Sequence, residues 1–142
     1  MATAEVSEVF PCSVEQFFSV ISDYEKYPEF LSEVKSCKVI QTENNRKLVE
    51  YQVSLLKTFT YRLWMQEEAP HKITWDLSSG DLFKASHGSW TLTEEAGQTR
   101  ALYQIDVQFS LFVPKPIANS LVKVNLPNMM NSYQKRIKEI YS

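Results

Sequence analysis

Through the middle of the chain, apolar and polar residues alternate at period two, the repeat of a strand with one buried face. Val49, Tyr51, Val53 and Leu55 share one parity in "VEYQVSL", and Phe59, Tyr61, Leu63 and Met65 share it in "FTYRLWM". "ITWDL" continues with Ile73, Trp75 and Leu77, and "ALYQIDVQFSL" with Ala101, Tyr103, Ile105, Val107, Phe109 and Leu111. With "SCKVIQT" ahead of this run and "HGSWTLT" within it, the pattern predicts six strands between residues 35 and 111. "TAEVSEVF", over 3–10, predicts a seventh strand at the start, ending at Pro11. Asn44-Asn45, Ala69-Pro70 and Gly97 supply turns, and strands joined by short turns pair as an antiparallel meander.

Either side of the meander the period changes to that of a helix. "SVEQFFSVI" opens with Ser13 and places Gln16 three residues on, a capping box, with Val14, Phe17, Phe18 and Ile21 on one face. Ser22 and Glu25 repeat the capping spacing in "SDYEKYPEFLSEV", and Pro28 predicts a corner between two short helical turns. Beyond Pro114 and Pro116, Ala118, Val122, Leu126, Met129, Tyr133, Ile137 and Ile140 form one stripe of a long helix, with a kink expected at Pro127. A one-sided sheet and a one-sided helix cover each other most simply if the sheet wraps around the helix. The expected class is therefore α+β.

At 142 residues the chain fits a single domain, 1–142, large enough to bury roughly 70% of its unfolded surface. The net charge of −2 and the absence of any long Lys or Arg run argue against DNA as a partner. "MATAEVSEVF" has neither a basic start nor an apolar core of a leader, and no stretch approaches a membrane span, so a cytoplasmic location is expected. Cys12 and Cys37 are too few for a disulfide framework and read as small apolar packing residues, the sequence leaving open a bridge between them.

Candidate chemistry is sparse. Glu50, Arg62, Asp76, Asp106 and His87 all have the parity opposite to the apolar set, and His71 follows Pro70 in a turn, so all are expected on the solvent face. Cysteines and histidines at 12, 37, 71 and 87 lack the spacing of a metal site, and there is no Gly-rich phosphate loop and no GxSxG. No cofactor is expected. "VPKPIANSLVKVNLP" sets Lys115 and Lys123 beside apolar residues, which suits transient contact with a membrane surface as well as a helix covering the sheet.

The order strand, two short helices, six-stranded meander, long helix resembles the START-like, or Bet v 1-like, helix-grip superfamily (SRPBCC) over essentially the whole chain. "VFPCSVEQFFSVISDYEKYPEFLSEVKSCKVI" is similar to the opening of its coenzyme Q-binding (Coq10-like), ribosome-associated toxin (RatA-like) and polyketide cyclase branch. "GDLFKASHGSWTL" is similar to that branch's Gly-Phe turn and Trp-containing strand, with Asp81 where Pro is usual. The resemblance implies a cavity between sheet and C-terminal helix for a lipid, isoprenoid quinone or polyketide-like molecule. Tyr51, Tyr61, Trp75, Trp90 and Tyr103 from the strands and Met129 and Tyr133 from the helix would then face it, either filling the interior or lining it. Tyr27 and Phe30 would turn inward from the short helices, while Tyr24 covers the joint. Three readings follow: a carrier or binding protein, a polyketide cyclase or aromatase, which needs a proton-transfer group inside, and a ribosome-associated interaction module.

Overall fold

In a computed structural model that describes residues 2–55 and 57–141, without the side chains of Ala2 and Val122, all seven predicted strands form. They are β1 (Ala2–Phe10), β2 (Val34–Glu43), β3 (Arg46–Leu55), β4 (Lys57–Glu68), β5 (Lys72–Gly80), β6 (Phe83–Glu95) and β7 (Gln98–Phe109). The sheet order is β1-β7-β6-β5-β4-β3-β2, every pair antiparallel, so the meander runs outward from β7 and the first strand returns beside the last. Register follows the alternation: Val49, Tyr51, Val53, Phe59, Leu63, Met65, Ile73 and Trp75 are buried. Glu50 and Arg62 pair at 2.9 Å across the outer face of β3 and β4. Asn44 takes φ 52° in the β2–β3 turn, a left-handed conformation that asparagine tolerates.

Helix α1 (Val14–Ile21) begins with the capping box that its sequence predicts: the Gln16 amide donates to Ser13 Oγ at 3.1 Å, and the Ser13 amide to Gln16 Oε1 at 3.0 Å. The second box does not form. Ser22 is consumed at the end of α1, its hydroxyl donating to the Phe18 carbonyl at 2.7 Å, and the following 3₁₀ helix (Tyr24–Glu29) starts after Asp23 without a side-chain cap. Glu25 instead accepts the backbone amide of Val39 at 3.1 Å. The corner accordingly falls at Ser22–Asp23. Pro28 lies inside the 3₁₀ helix, whose φ its ring already supplies. Tyr24 does more than cover the joint: it is 1% exposed and donates its hydroxyl to Glu67 Oε2 at 2.8 Å.

The C-terminal helix comprises α2 (Lys115–Ser120), a π-helical turn (Leu121–Asn125) and α3 (Leu126–Tyr141). Its inward stripe is Ile117, Leu121, Leu126, Met130, Tyr133 and Ile137, so the step from Leu121 to Leu126 is five residues where the others are three or four. The wide turn adds one residue directly ahead of Pro127, the position where a proline ring would otherwise press on the carbonyl of Lys123. That insertion moves the buried positions before Pro127 one place from the predicted Ala118; Val122 lies outside the described side chains. At the far end Ile140 is 46% exposed, outside the stripe. Leu111 is 88% exposed as well, because β7 stops at Phe109 and the chain turns off the sheet once the Ser110 amide has bonded to the Leu82 carbonyl.

One end of the interior is filled with rings. Phe10 and Phe17 lie 4.4 Å apart, Phe17 and Trp90 5.4 Å, and Trp90 and Tyr133 5.4 Å, tying β1, α1, β6 and α3 together. A fully buried ring of this kind is worth about 1.5–3 kcal/mol. Cys12 and Cys37 are buried and free.

Candidate functional site

Toward the other end the rings stop short of filling the space between the sheet and the C-terminal helix. A cavity of about 160 Å³ remains. Its wall comes from the inward parity of β3 to β7 and from the helix: Tyr51 and Tyr61 stack at 5.2 Å, Trp75 and Tyr103 lie 5.5 Å apart, and Trp90 meets Tyr103 edge-on at 4.8 Å. Leu121, Leu126, Met129 and Tyr133 form the helical side. Lining residues that retain exposure include Glu33, Leu55, Tyr61, Leu121, Asn125 and Met129, which mark the rim, and Ala4 and Ile105.

The wall's polar groups fall into two sets. Tyr27 donates to the Ile21 carbonyl at the end of α1, Tyr51 to Met65 Sδ at 3.6 Å, and the Tyr133 hydroxyl neighbours that of Tyr27. These hydroxyls serve the protein. The hydroxyls of Tyr61, Tyr103 and Ser86 form no hydrogen bond with any described residue, and Asn125 Nδ2 is buried without a partner. Of these four, only Asn125 Nδ2 is closed off; the three hydroxyls open unpaired onto the cavity, where another molecule or water would bond them. Desolvation holds the Tyr27, Tyr51, Tyr61, Tyr103 and Tyr133 hydroxyls well above their usual pKa, and all stay neutral at ordinary pH. Glu33, at the rim, is the one carboxylate among the described lining residues.

Eight of the nine residues expected to face a ligand line this cavity: Tyr27, Tyr51, Tyr61, Trp75, Trp90, Tyr103, Met129 and Tyr133. Phe30 does not. It ends the 3₁₀ helix half-buried, against Tyr133 at 5.3 Å and beneath the Arg136 guanidinium at 5.1 Å, and Leu31 takes the inward place. Ser86 was legible in principle, since it shares the parity of Gly88 and Trp90. Asn125 was not, because the π turn that aims it breaks the helical period. Both histidines lie on the surface, His87 as its parity requires and His71 at the turn after Pro70. His87 Nδ1 is 2.7 Å from Asp76 Oδ1 on the outer face, and His71 Nδ1 is 3.4 Å from the Leu92 carbonyl. Among the described residues no group of three His, Cys, Asp or Glu could hold a metal, and no helix is long and apolar enough to cross a membrane.

Residues 10–133 match the family model described as polyketide cyclase / dehydrase and lipid transport. The ribosome association toxin RatA of Escherichia coli K12 is 26% identical over 136 residues, which span 93% of this chain and 84% of that protein. A START superfamily protein from Mycobacterium smegmatis superposes with a TM-score of 0.85 at 20% identity, covering 97% of this chain and 98% of the other. The Zhui aromatase/cyclase of a Streptomyces species superposes with a TM-score of 0.85 at 11% identity, over 96% and 93% of the two chains. At such identities the structural matches speak for the fold alone.

Proposed function

Because the chain belongs to the polyketide cyclase / dehydrase and lipid transport family, we propose that it binds or carries an uncharged, mainly apolar molecule whose polar end enters the cavity. The observation that carries this is the set of unpaired hydroxyls of Tyr61, Tyr103 and Ser86 in a mainly apolar wall of aliphatic and aromatic side chains. They match carbonyl or ether oxygens. An anion would find no cation among the described lining residues, and burying it unpaired would be costly.

Size narrows the ligand class. Apolar cavities of about 150 Å³ take up benzene, so about 160 Å³ suits one ring. A ring burying ~150 Å² gains about 4 kcal/mol, millimolar affinity at best. Micromolar binding needs roughly twice that area, hence a chain continuing past the rim. A quinone ring with an isoprenoid tail meets both conditions, and so does a lipid or polyketide with a single oxygenated end.

Extraction or native mass spectrometry of the purified protein should find such a molecule. A ring-and-chain quinone added in solution should quench the fluorescence of Trp75 and Trp90 saturably. Absence of both would overturn the reading. Binding is favoured over turnover because the interior offers tyrosines held protonated, which are poor proton acceptors near neutral pH.

Likeness to the ribosome association toxin supports a second reading, contact with ribosomes. Co-sedimentation with ribosomes at low salt tests it, and a protein that stays in the supernatant would dismiss it.

A further inference from the structure

Beyond the cavity, the connection from β7 to α2 carries the most exposed large apolar residues of the described chain. Leu111 is 88% and Phe112 90% exposed, and Val124, on the π turn, is 53% exposed. Adjacent large apolar side chains left so open call for a partner. The segment that carries them is basic along its own sequence, with Glu33 as the carboxylate at the adjoining rim. Between Asp106 and Glu139 the sequence has no Asp or Glu, yet it holds Lys115, Lys123, Lys135, Arg136 and Lys138, in a protein whose net charge is −2. Lys115 and Lys123 are exposed and make no ion pair with any described residue. Asp81, on the neighbouring β5–β6 connection, turns its carboxylate onto the Thr60 amide at 2.9 Å. The patch also continues into the rim, because Leu121 and Asn125 of the same π turn line the cavity.

We infer that Leu111 and Phe112, flanked by Lys115 and Lys123, form a wedge that docks this end of the molecule on an anionic lipid surface. Two apolar side chains entering the headgroup boundary supply the hydrophobic part, and the lysines add attraction to acidic headgroups. An RNA backbone would satisfy the lysines but offers no apolar volume to Leu111 and Val124. A docked wedge would set the cavity rim against the bilayer, the place where an apolar ligand is dissolved. The contact goes beyond the ligand reading, and its test needs no ligand.

The experiment is flotation of the full chain with vesicles of phosphatidylcholine alone and of phosphatidylcholine mixed with phosphatidylglycerol, at low and high salt. Binding is expected only to the mixed vesicles and weaker in salt. Lys115→Gln and Lys123→Gln should each lower partitioning about fivefold, and the Leu111→Ser/Phe112→Ser double variant should lower it by at least about tenfold. These side chains are largely open to solvent, so the variants should keep the parent's thermal unfolding, which is measured alongside. Failure to float with the mixed vesicles overturns the inference, as does flotation that the double variant leaves intact. It is equally overturned if the double variant abolishes self-association, or ribosome pelleting, in a protein that ignores vesicles.

Discussion

Trp75 and Gly88 face each other across β5 and β6, and the indole occupies the space a side chain at 88 would need: a Cβ there would lie 2.4 Å from the indole ring. The cavity wall thus depends on a missing methyl. Gly88→Ala must push the indole off its rotamer, into the cavity. It should cost about 1–3 kcal/mol in denaturant unfolding and abolish uptake of a benzene-sized probe. Unchanged stability would contradict this seating.

The two sets of tyrosine hydroxyls should separate on mutation. Tyr27→Phe strips the Ile21 carbonyl of its buried donor and should cost about 1–3 kcal/mol. Tyr103→Phe removes a hydroxyl that bonds to no described residue and should stay within about 0.5 kcal/mol of the parent. Thermal or chemical unfolding of both variants decides the matter.

Ligand binding should reverse that order of importance. Tyr103→Phe should weaken a carbonyl-bearing ring by about 0.5–1.5 kcal/mol, roughly two- to twelvefold, while leaving a pure hydrocarbon probe unaffected. Equal losses for both probes would mean that the hydroxyl does not bond the ligand.

The β6–β7 turn carries a correctable strain. Ala96 sits at φ 52° and Gly97 at φ 80°, so a residue with a Cβ occupies a left-handed position. Asparagine followed by glycine is the preferred pair for such a turn. Ala96→Asn should raise stability by about 0.5–1 kcal/mol, visible as a higher unfolding midpoint.

Burial raises the pKa of Tyr24, Tyr27, Tyr51, Tyr61, Tyr103 and Tyr133 and of the Cys12 and Cys37 thiols. These groups lose protons more readily in the unfolded chain, whose thiols and phenols titrate at about 8.5 to 10. Their contribution to stability is complete at neutral pH and declines as pH rises through that window. Denaturant midpoints should therefore hold level to about pH 8 and fall beyond it. A midpoint that rose between pH 8 and 10 would have the wrong sign.

Strand parity made most of the wall readable, since a half-buried strand assigns each residue to one face and Tyr51, Tyr61, Trp75, Trp90 and Tyr103 all kept theirs. Helical phase was less legible. One extra residue in the Leu121–Asn125 turn displaced everything before Pro127, and a pattern read at constant period has no means of registering an insertion. The Ser22–Glu25 spacing misled for a related reason: Ser22 could end one helix or begin the next, and its bond to Phe18 decided for the first. Whether aromatics fill or line an interior depends on volume. Parity carries no volume, and the 160 Å³ left between Tyr61, Trp75 and Tyr103 emerges only once the rings are placed.

Glu25, lost to the helix cap, gains another part from its bond to Val39. β2 is an outermost strand of the sheet, and such a strand offers open backbone groups to any extended segment that drifts past. The carboxylate occupies one of those amides, and the 3₁₀ helix that carries it lies alongside. A second chain cannot extend the sheet at that point without first evicting Glu25, so a side chain that fails as a capping residue serves as a guard against intermolecular strand addition.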